Sequence, residues 1–286
     1  MKNLVLLVGI FSGLTVANVG LGKELPVLGG RGDRLICKTG NNGKSAVFNV
    51  DDNAFVDKFY AKTLEECQRV IRHSHRGLTC ASNRDGKTAI YDYSENKFLD
   101  AKYAKTVDEC IDAIRSSHRR LMCRQGSNGE YAIFDRKKDA FVDKFYSKTS
   151  EECNVTLRAS RKGLTCATNR DGKAALYDFQ KGEFLDKFYG KTLQECIGTI
   201  RSATRKLICK SNASGKSALF DRERDKFIDR FYSKTPAECS QTIRRSDNGL
   251  TCATNTDGKA AIFDVRNDRF VDSTYSRSLE DCLNAI

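Results

Sequence analysis

Three sets of residues recur along this chain at spacings that could do chemistry: cysteines, aspartates and lysines. The twelve cysteines are Cys37, Cys67, Cys80, Cys110, Cys123, Cys153, Cys166, Cys196, Cys209, Cys239, Cys252 and Cys282. Their gaps alternate between 30 and 13 residues, without an insertion or deletion. Zinc sites favour C-x-x-C pairs or paired histidines. Neither pattern recurs, and the histidines (His73, His75 and His118) are missing from four of the six repeats. Disulfides fit better, in one of two regular schemes. Bridging across 30 residues, Cys37 to Cys67 and onward, uses every thiol. Bridging across 13, Cys67 to Cys80 and onward, strands Cys37 and Cys282 unless the chain closes into a ring. The first scheme is preferred because it leaves no thiol over.

Asp57, Asp100, Asp143, Asp186, Asp229 and Asp272 hold one position in every repeat. A carboxylate there could bind a cation, or act as the acid of a hydrolase-like enzyme. The plainer expectation is a capped turn or a pair with a neighbouring lysine, because six equal active sites in one chain would be unusual. Lys44, Lys87, Lys173, Lys216 and Lys259 follow the glycine of a turn, with Glu130 in the third copy. Lys62, Lys105, Lys148, Lys191, Lys234 and Arg277 lie just before a helix cap. Both sets are expected to form stripes of positive charge. Such stripes keep a protein soluble, or attract an anionic polymer such as an envelope glycan, lipid headgroups or, as the weakest candidate, nucleic acid. Tyr60, Tyr103, Tyr146, Tyr189, Tyr232 and Tyr275 could stack on sugars or bases, but packing on the helix start with a local partner for the hydroxyl is preferred. Asn83-Arg84-Asp85-Gly86 resembles part of a calcium loop yet lacks the distant bidentate glutamate, and a hairpin turn accounts for it. No histidine recurs, no cysteine is spare, and neither G-x-S-x-G nor a phosphate-binding loop is present. No cofactor is expected.

The elements that position these residues repeat with a period of 43. Copies two, four and six begin GLTCA, whereas one, three and five begin RLICK, RLMCR and KLICK. A doubled and then tripled unit explains both layers. In copy two, Leu78-Thr79-Cys80 reads as a first strand and Thr88-Ala89-Ile90-Tyr91 as a second. The turn between them ends on Asp85-Gly86, a hairpin signal because glycine accepts positive φ. A third strand, Phe98-Leu99-Asp100, follows a polar turn. Then the period changes. Thr63 with Glu66 makes a capping box, repeated at Thr106, Thr149, Thr192 and Thr235, with Ser278 and Asp281 as a variant. Leu64, Cys67 and Ile71 fall on one helix face, which predicts that each second cysteine faces inward. Ala46, Ala89, Ala132, Ala175, Ala218 and Ala261 recur mid-strand and predict a close approach. The sequence ends at Ile286, in the column of Ile71, so no separate catalytic domain is expected.

Residues 1–22 have the build of a secretory signal peptide: Lys2, the apolar run Leu4 to Phe11, then small residues up to a cleavage region between Ala17 and Gly22. The run is too short to be a membrane span. Residues 23–33 form a Gly-rich lead-in, whose Arg31-Gly32-Asp33 is a chance match to an adhesion tripeptide. The net charge of +12 is spread along the chain, as on a solvated folded surface. Residues 34–286 are therefore read as an α+β tandem array of six 43-residue βββα repeats, three 86-residue pairs, stapled by disulfides into a ring or a solenoid. The 43-residue period is near that of propeller blades, but the helix in every unit and the absence of tryptophan set it apart. The expected protein is exported, to the periplasm or beyond the cell. It is a non-enzymatic scaffold that binds an anionic polymer or a protein partner, with the aspartate-based hydrolase as the alternative.

Overall fold

The computed structural model describes residues 35–286 apart from Ala101, Arg119 and Tyr146. The expected signal peptide, the expected lead-in and Arg34 lie outside the described residues. Unit one shows the plan. Strand β1 (Leu35–Thr39) pairs antiparallel with β2 (Ser45–Asn49), which pairs with the two-residue β3 (Ala54–Phe55), and a helix, α1 (Leu64–His73), follows. The same sheet and helix recur five more times, with helices α2 (Val107–Ser116), α3 (Ser150–Ala159), α4 (Leu193–Ser202), α5 (Pro236–Arg245) and α6 (Leu279–Asn284).

The hairpin between the first two strands is set by asparagine and glycine together. Asn83 Oδ1 accepts from the backbone N–H groups of Asp85 and Lys87, each at 3.0 Å. Gly86 takes φ +75°, a left-handed conformation that a side chain would strain. The third strand is shorter than the sequence suggested: in unit two it covers Lys97–Phe98 only. Its ladder stops because the Asp100 carboxylate takes over the Ile90 N–H, at 2.8 Å, that a strand carbonyl would otherwise receive.

Each helix starts at its predicted cap. Thr63 accepts from Glu66 N at 3.1 Å, and the Glu66 carboxylate accepts from Thr63 N at 2.8 Å. The buried face differs from the predicted one. Cys67 and Val70 are buried and Ile71 partly so, whereas Leu64 is 40 % exposed. The inward face of the helix therefore runs i, i+3, i+4 from Cys67, because the first turn lies at the rim. Cystines close Cys37–Cys67, Cys80–Cys110, Cys123–Cys153, Cys166–Cys196, Cys209–Cys239 and Cys252–Cys282, all across 30 residues. Each staples the first strand of a unit to its helix. Closing such a loop contributes roughly 3–4 kcal/mol in the chain-entropy model. Six closed disulfides fit an oxidising, exported environment. No helix among the described residues is long and apolar enough to cross a membrane.

Units stack in line. Each helix packs on its own sheet, and α1 to α5 each also pack on the first strand of the following unit; among the described residues no substantial packing joins unit six to unit one. The array is an open stack, not a ring. The apolar residue before each repeated aspartate records this: Val56, Leu99, Val142, Leu185 and Ile228 are at most 7 % exposed, but Val271, with no unit packed against it, is 58 % exposed. The recurring alanines, such as Ala46 and Ala89, are buried as expected of a close approach.

The odd–even alternation is an alternation of junctions. Between an odd unit and the next even one, hydroxyls meet: Ser74 to Thr79, Ser160 to Thr165 and Ser246 to Thr251, each at 2.7 Å. The buried Ala81, Ala167 and Ala253 pack into the core beside them. Between an even unit and the next odd one, Met122 or Ile208 is buried, and an arginine crosses to an aspartate: Arg136 to Asp92, and Arg222 to Asp178 at 2.7 Å. The odd units carry a cation after their first cysteine because there it lies over a ring: Lys38 sits 3.2 Å from the Phe48 centroid and Lys210 3.3 Å from that of Phe220.

Candidate functional site

The repeated aspartates and the lysines before the helix caps are one structure. Lys62 Nζ donates to Asp57 Oδ1 at 2.5 Å. The other Asp57 oxygen accepts from Val47 N at 2.6 Å, within the same unit, and Oδ1 also accepts from Ser82 N of the next unit at 2.5 Å. Asp100 with Lys105, Asp143 with Lys148, Asp186 with Lys191 and Asp229 with Lys234 repeat the arrangement, at 2.5–2.6 Å. Each carboxylate also reaches a backbone N–H of the following unit, on Gln125, Thr168, Ser211 and Thr254. Asp272 has no following unit, and its cation, Arg277, is partly exposed.

This corrects the expectation of a positive stripe from Lys62, Lys105, Lys148, Lys191 and Lys234. All five are buried to 2 % exposure or less. Burial pushes each of these amines below the usual lysine range, against the pull of its aspartate. The pairing of aspartate with a neighbouring lysine is as anticipated. Asp57, Asp100, Asp143, Asp186 and Asp229 are buried beside those lysines, and Asp272 is partly exposed.

The other lysine set lies at the surface. Lys44, Lys87, Lys173, Lys216 and Lys259 are all exposed, at the tips of the hairpins. The segment after each third strand borders the next hairpin. In unit four this approach is so close that a Cβ on Gly190 would stand 2.4 Å from the Asn212 carbonyl oxygen. Along this border lie residues that the sequence reading had not singled out as a group. Phe59, Phe145, Phe188 and Phe231 are each 41–47 % exposed. A cation stands over each: Arg84 at 5.2 Å, Arg170 at 5.0 Å, Lys187 at 5.7 Å and Arg230 at 5.9 Å from the ring centroid. Arg84 and Arg170 come from the hairpin of the following unit. An open depression of about 500 Å³ lies there, lined by Ser127, Asn128, Glu130, Lys144, Phe145, Ser147 and Arg170. The signal in the sequence was Asp-Lys-Phe-Tyr or Asp-Arg-Phe-Tyr, present in units one, three, four and five.

Five of the tyrosines sit against phenylalanine rings. Phe55–Tyr60, Phe98–Tyr103, Phe184–Tyr189, Phe227–Tyr232 and Phe270–Tyr275 meet edge to face at 5.3–5.7 Å. The expected hydroxyl partner is missing at Tyr103 and Tyr189. Burial, helped by the negative charge of Asp143, pushes the Tyr189 phenol up to about 12. Tyr146 lies outside the described residues. Among the described residues no three of histidine, cysteine, aspartate and glutamate gather as metal ligands. The turn Asn83-Arg84-Asp85-Gly86 directs the Asn83 oxygen at its own backbone.

No family model matches the chain, and no curated protein matches it. Among solved structures, it is weakly similar to the computationally designed Ika8 protein: 8 % identity, TM-score 0.22, covering 86 % of this chain and 74 % of that one. It is similarly weakly related to BamB from Moraxella catarrhalis, at 10 % identity and TM-score 0.21, covering 86 % and 73 %. Scores this low carry no argument about fold or function.

Proposed function

We propose that this protein is an exported, non-enzymatic scaffold, periplasmic or extracellular, that binds an anionic polymer along the hairpin edge of its array. The observation that carries the reading is the division of labour between the two lysine sets. One set is buried in ion pairs that hold units together. The other is held out on five of the six hairpin tips, with Glu130 on the third, free to meet a ligand. An array multiplies a weak contact, because each further unit that engages does so at high effective concentration. The aspartates that a hydrolase would employ are committed to the junctions, which favours binding over catalysis.

Binding should weaken steeply with salt, since each neutralised phosphate on a duplex adds about −0.9 to the log–log slope and other polyanions behave alike in kind. Replacing Lys44, Lys87, Lys173, Lys216 and Lys259 together with glutamine should leave the fold intact. It should lower affinity more than any single replacement and flatten the salt slope. Salt-insensitive binding, or none to any polyanion, would overturn the proposal in favour of a protein partner.

A further inference from the structure

The exposed rings and their cations say which polyanion. Phe59, Phe145, Phe188 and Phe231 each form a rung: an aromatic ring open to solvent on part of its surface, with a guanidinium or ammonium within 6 Å of its centre. The rungs of Phe145, Phe188 and Phe231 fall on three successive units. Helices α3, α4 and α5 pack in succession, so these three rungs follow one another from unit to unit.

We infer that the ligand of this edge is an acidic polysaccharide, bound with sugar rings stacked on the phenylalanines and their carboxylates or sulfates on the adjoining cations. An acidic sugar presents an apolar C–H face and an anion on one residue, which matches a ring and a cation on one rung. A polyphosphate offers only the anion and leaves the rings without a partner. A bilayer would need apolar side chains that project as wedges, whereas these residues are more than half covered. The open depression beside Phe145, where the cations Lys144 and Arg170 outnumber the one carboxylate, Glu130, gives one sugar a place to sit. Unit two carries Lys102 and unit six Thr274 at the ring position, so a bound chain loses its stacking contact there, while the hairpins of those units still carry Lys87 and Lys259.

The inference rests on the polymer-binding reading, and the experiment separates the two. Sodium polygalacturonate, polyphosphate, oligo-thymidylate and anionic phospholipid vesicles are titrated against the wild type and against the joint variant Phe59→Ala, Phe145→Ala, Phe188→Ala, Phe231→Ala. The variant should lose tenfold or more in affinity for polygalacturonate with its salt slope unchanged, and should bind polyphosphate as the wild type does. Tyrosine at the same four positions should retain binding. Because the alanine variant removes partly buried rings, ring resonances of phenylalanine-labelled wild type are followed as well. They should shift with polygalacturonate and stay in place with polyphosphate. Equal losses on both polymers, unmoved ring resonances, or tighter binding of oligo-thymidylate or vesicles would overturn the sugar assignment while leaving polyanion binding standing. Failure of the wild type to bind any of the four would remove both.

Discussion

Asp143 is the group whose removal tests the junction most sharply. It accepts from Ile133 N at 2.6 Å, from Thr168 N at 2.7 Å and from Lys148 Nζ at 2.6 Å. Lys148 has one other partner, the Thr168 hydroxyl at 2.6 Å. The two members of the pair are therefore unequally supported. Lys148→Met leaves a carboxylate that keeps its backbone donors, and should cost about 1–3 kcal/mol, the range for one lost buried hydrogen-bonding partner. Asp143→Ala strands a buried ammonium, at about 3–5 kcal/mol, and orphans two buried N–H groups as well, so a total above about 5 kcal/mol is expected. The alanine variant should also acquire a pH dependence. Without Asp143, burial lowers the Lys148 pKa further in the folded state, while the unfolded value stays ordinary. Between those two values the folded chain has shed a proton that the unfolded chain keeps. Stability of Asp143→Ala therefore rises with pH through that window and is lowest below it. Urea denaturation at about pH 6 and about pH 9, with amide exchange read at Ile133 and Thr168, measures all of this. If Lys148→Met proves the more damaging change, or if Asp143→Ala is less stable at the higher pH, the reasoning about the junction is wrong.

Thiol titration of the unfolded, unreduced protein should find none of the twelve cysteines free, and reduction should lower the melting temperature steeply, since each unit is too small to hold alone; a melt unchanged to within a few degrees would contradict that. In an ultraviolet titration Tyr189 should be among the last phenols to ionise, near 12. Because its folded pKa is raised, stability is full below the unfolded value near 10 and falls as pH rises toward 12. Tyr189→Phe should remove that late step and cost little stability, because the hydroxyl has no hydrogen-bond partner to lose.

Much of this was legible in the residues. The capping boxes, the hairpin glycines and the 30-residue cystines are local or strictly periodic, and the structure keeps them. What misled was a general expectation about lysine. Lys62 and its equivalents belong to a residue type that is almost never buried unpaired, and nothing local marks them as interior. Their partner stands five residues earlier in every unit, but the second and third partners of that carboxylate lie on another strand and in another unit. Leu64 misled for the opposite reason: it fits the helical stripe, yet the first turn sits at the rim. The alternation of GLTCA with RLICK was plain in the sequence, but its reason, two kinds of junction, depends on contacts such as Ser160 to Thr165 and Arg222 to Asp178 that no spacing rule anticipates. The Phe145 set was hidden in part because two of its cations, Arg84 and Arg170, come from the neighbouring hairpin.

The position of the cystines has a mechanical consequence. Each bridge closes 30 of the 43 residues of a unit into a loop that tension on the chain ends cannot enter. Only the 13-residue connections, such as Cys153 to Cys166, can be drawn out straight, which limits extension to about 45 Å per unit, against about 150 Å if the bridge were reduced. Pulled from its ends, the oxidised protein behaves as a string of short tethers between tied knots. A load drawn along such an array meets a hard stop early, and the strands beside each first cysteine stay tied to their helices while the junctions between units give way.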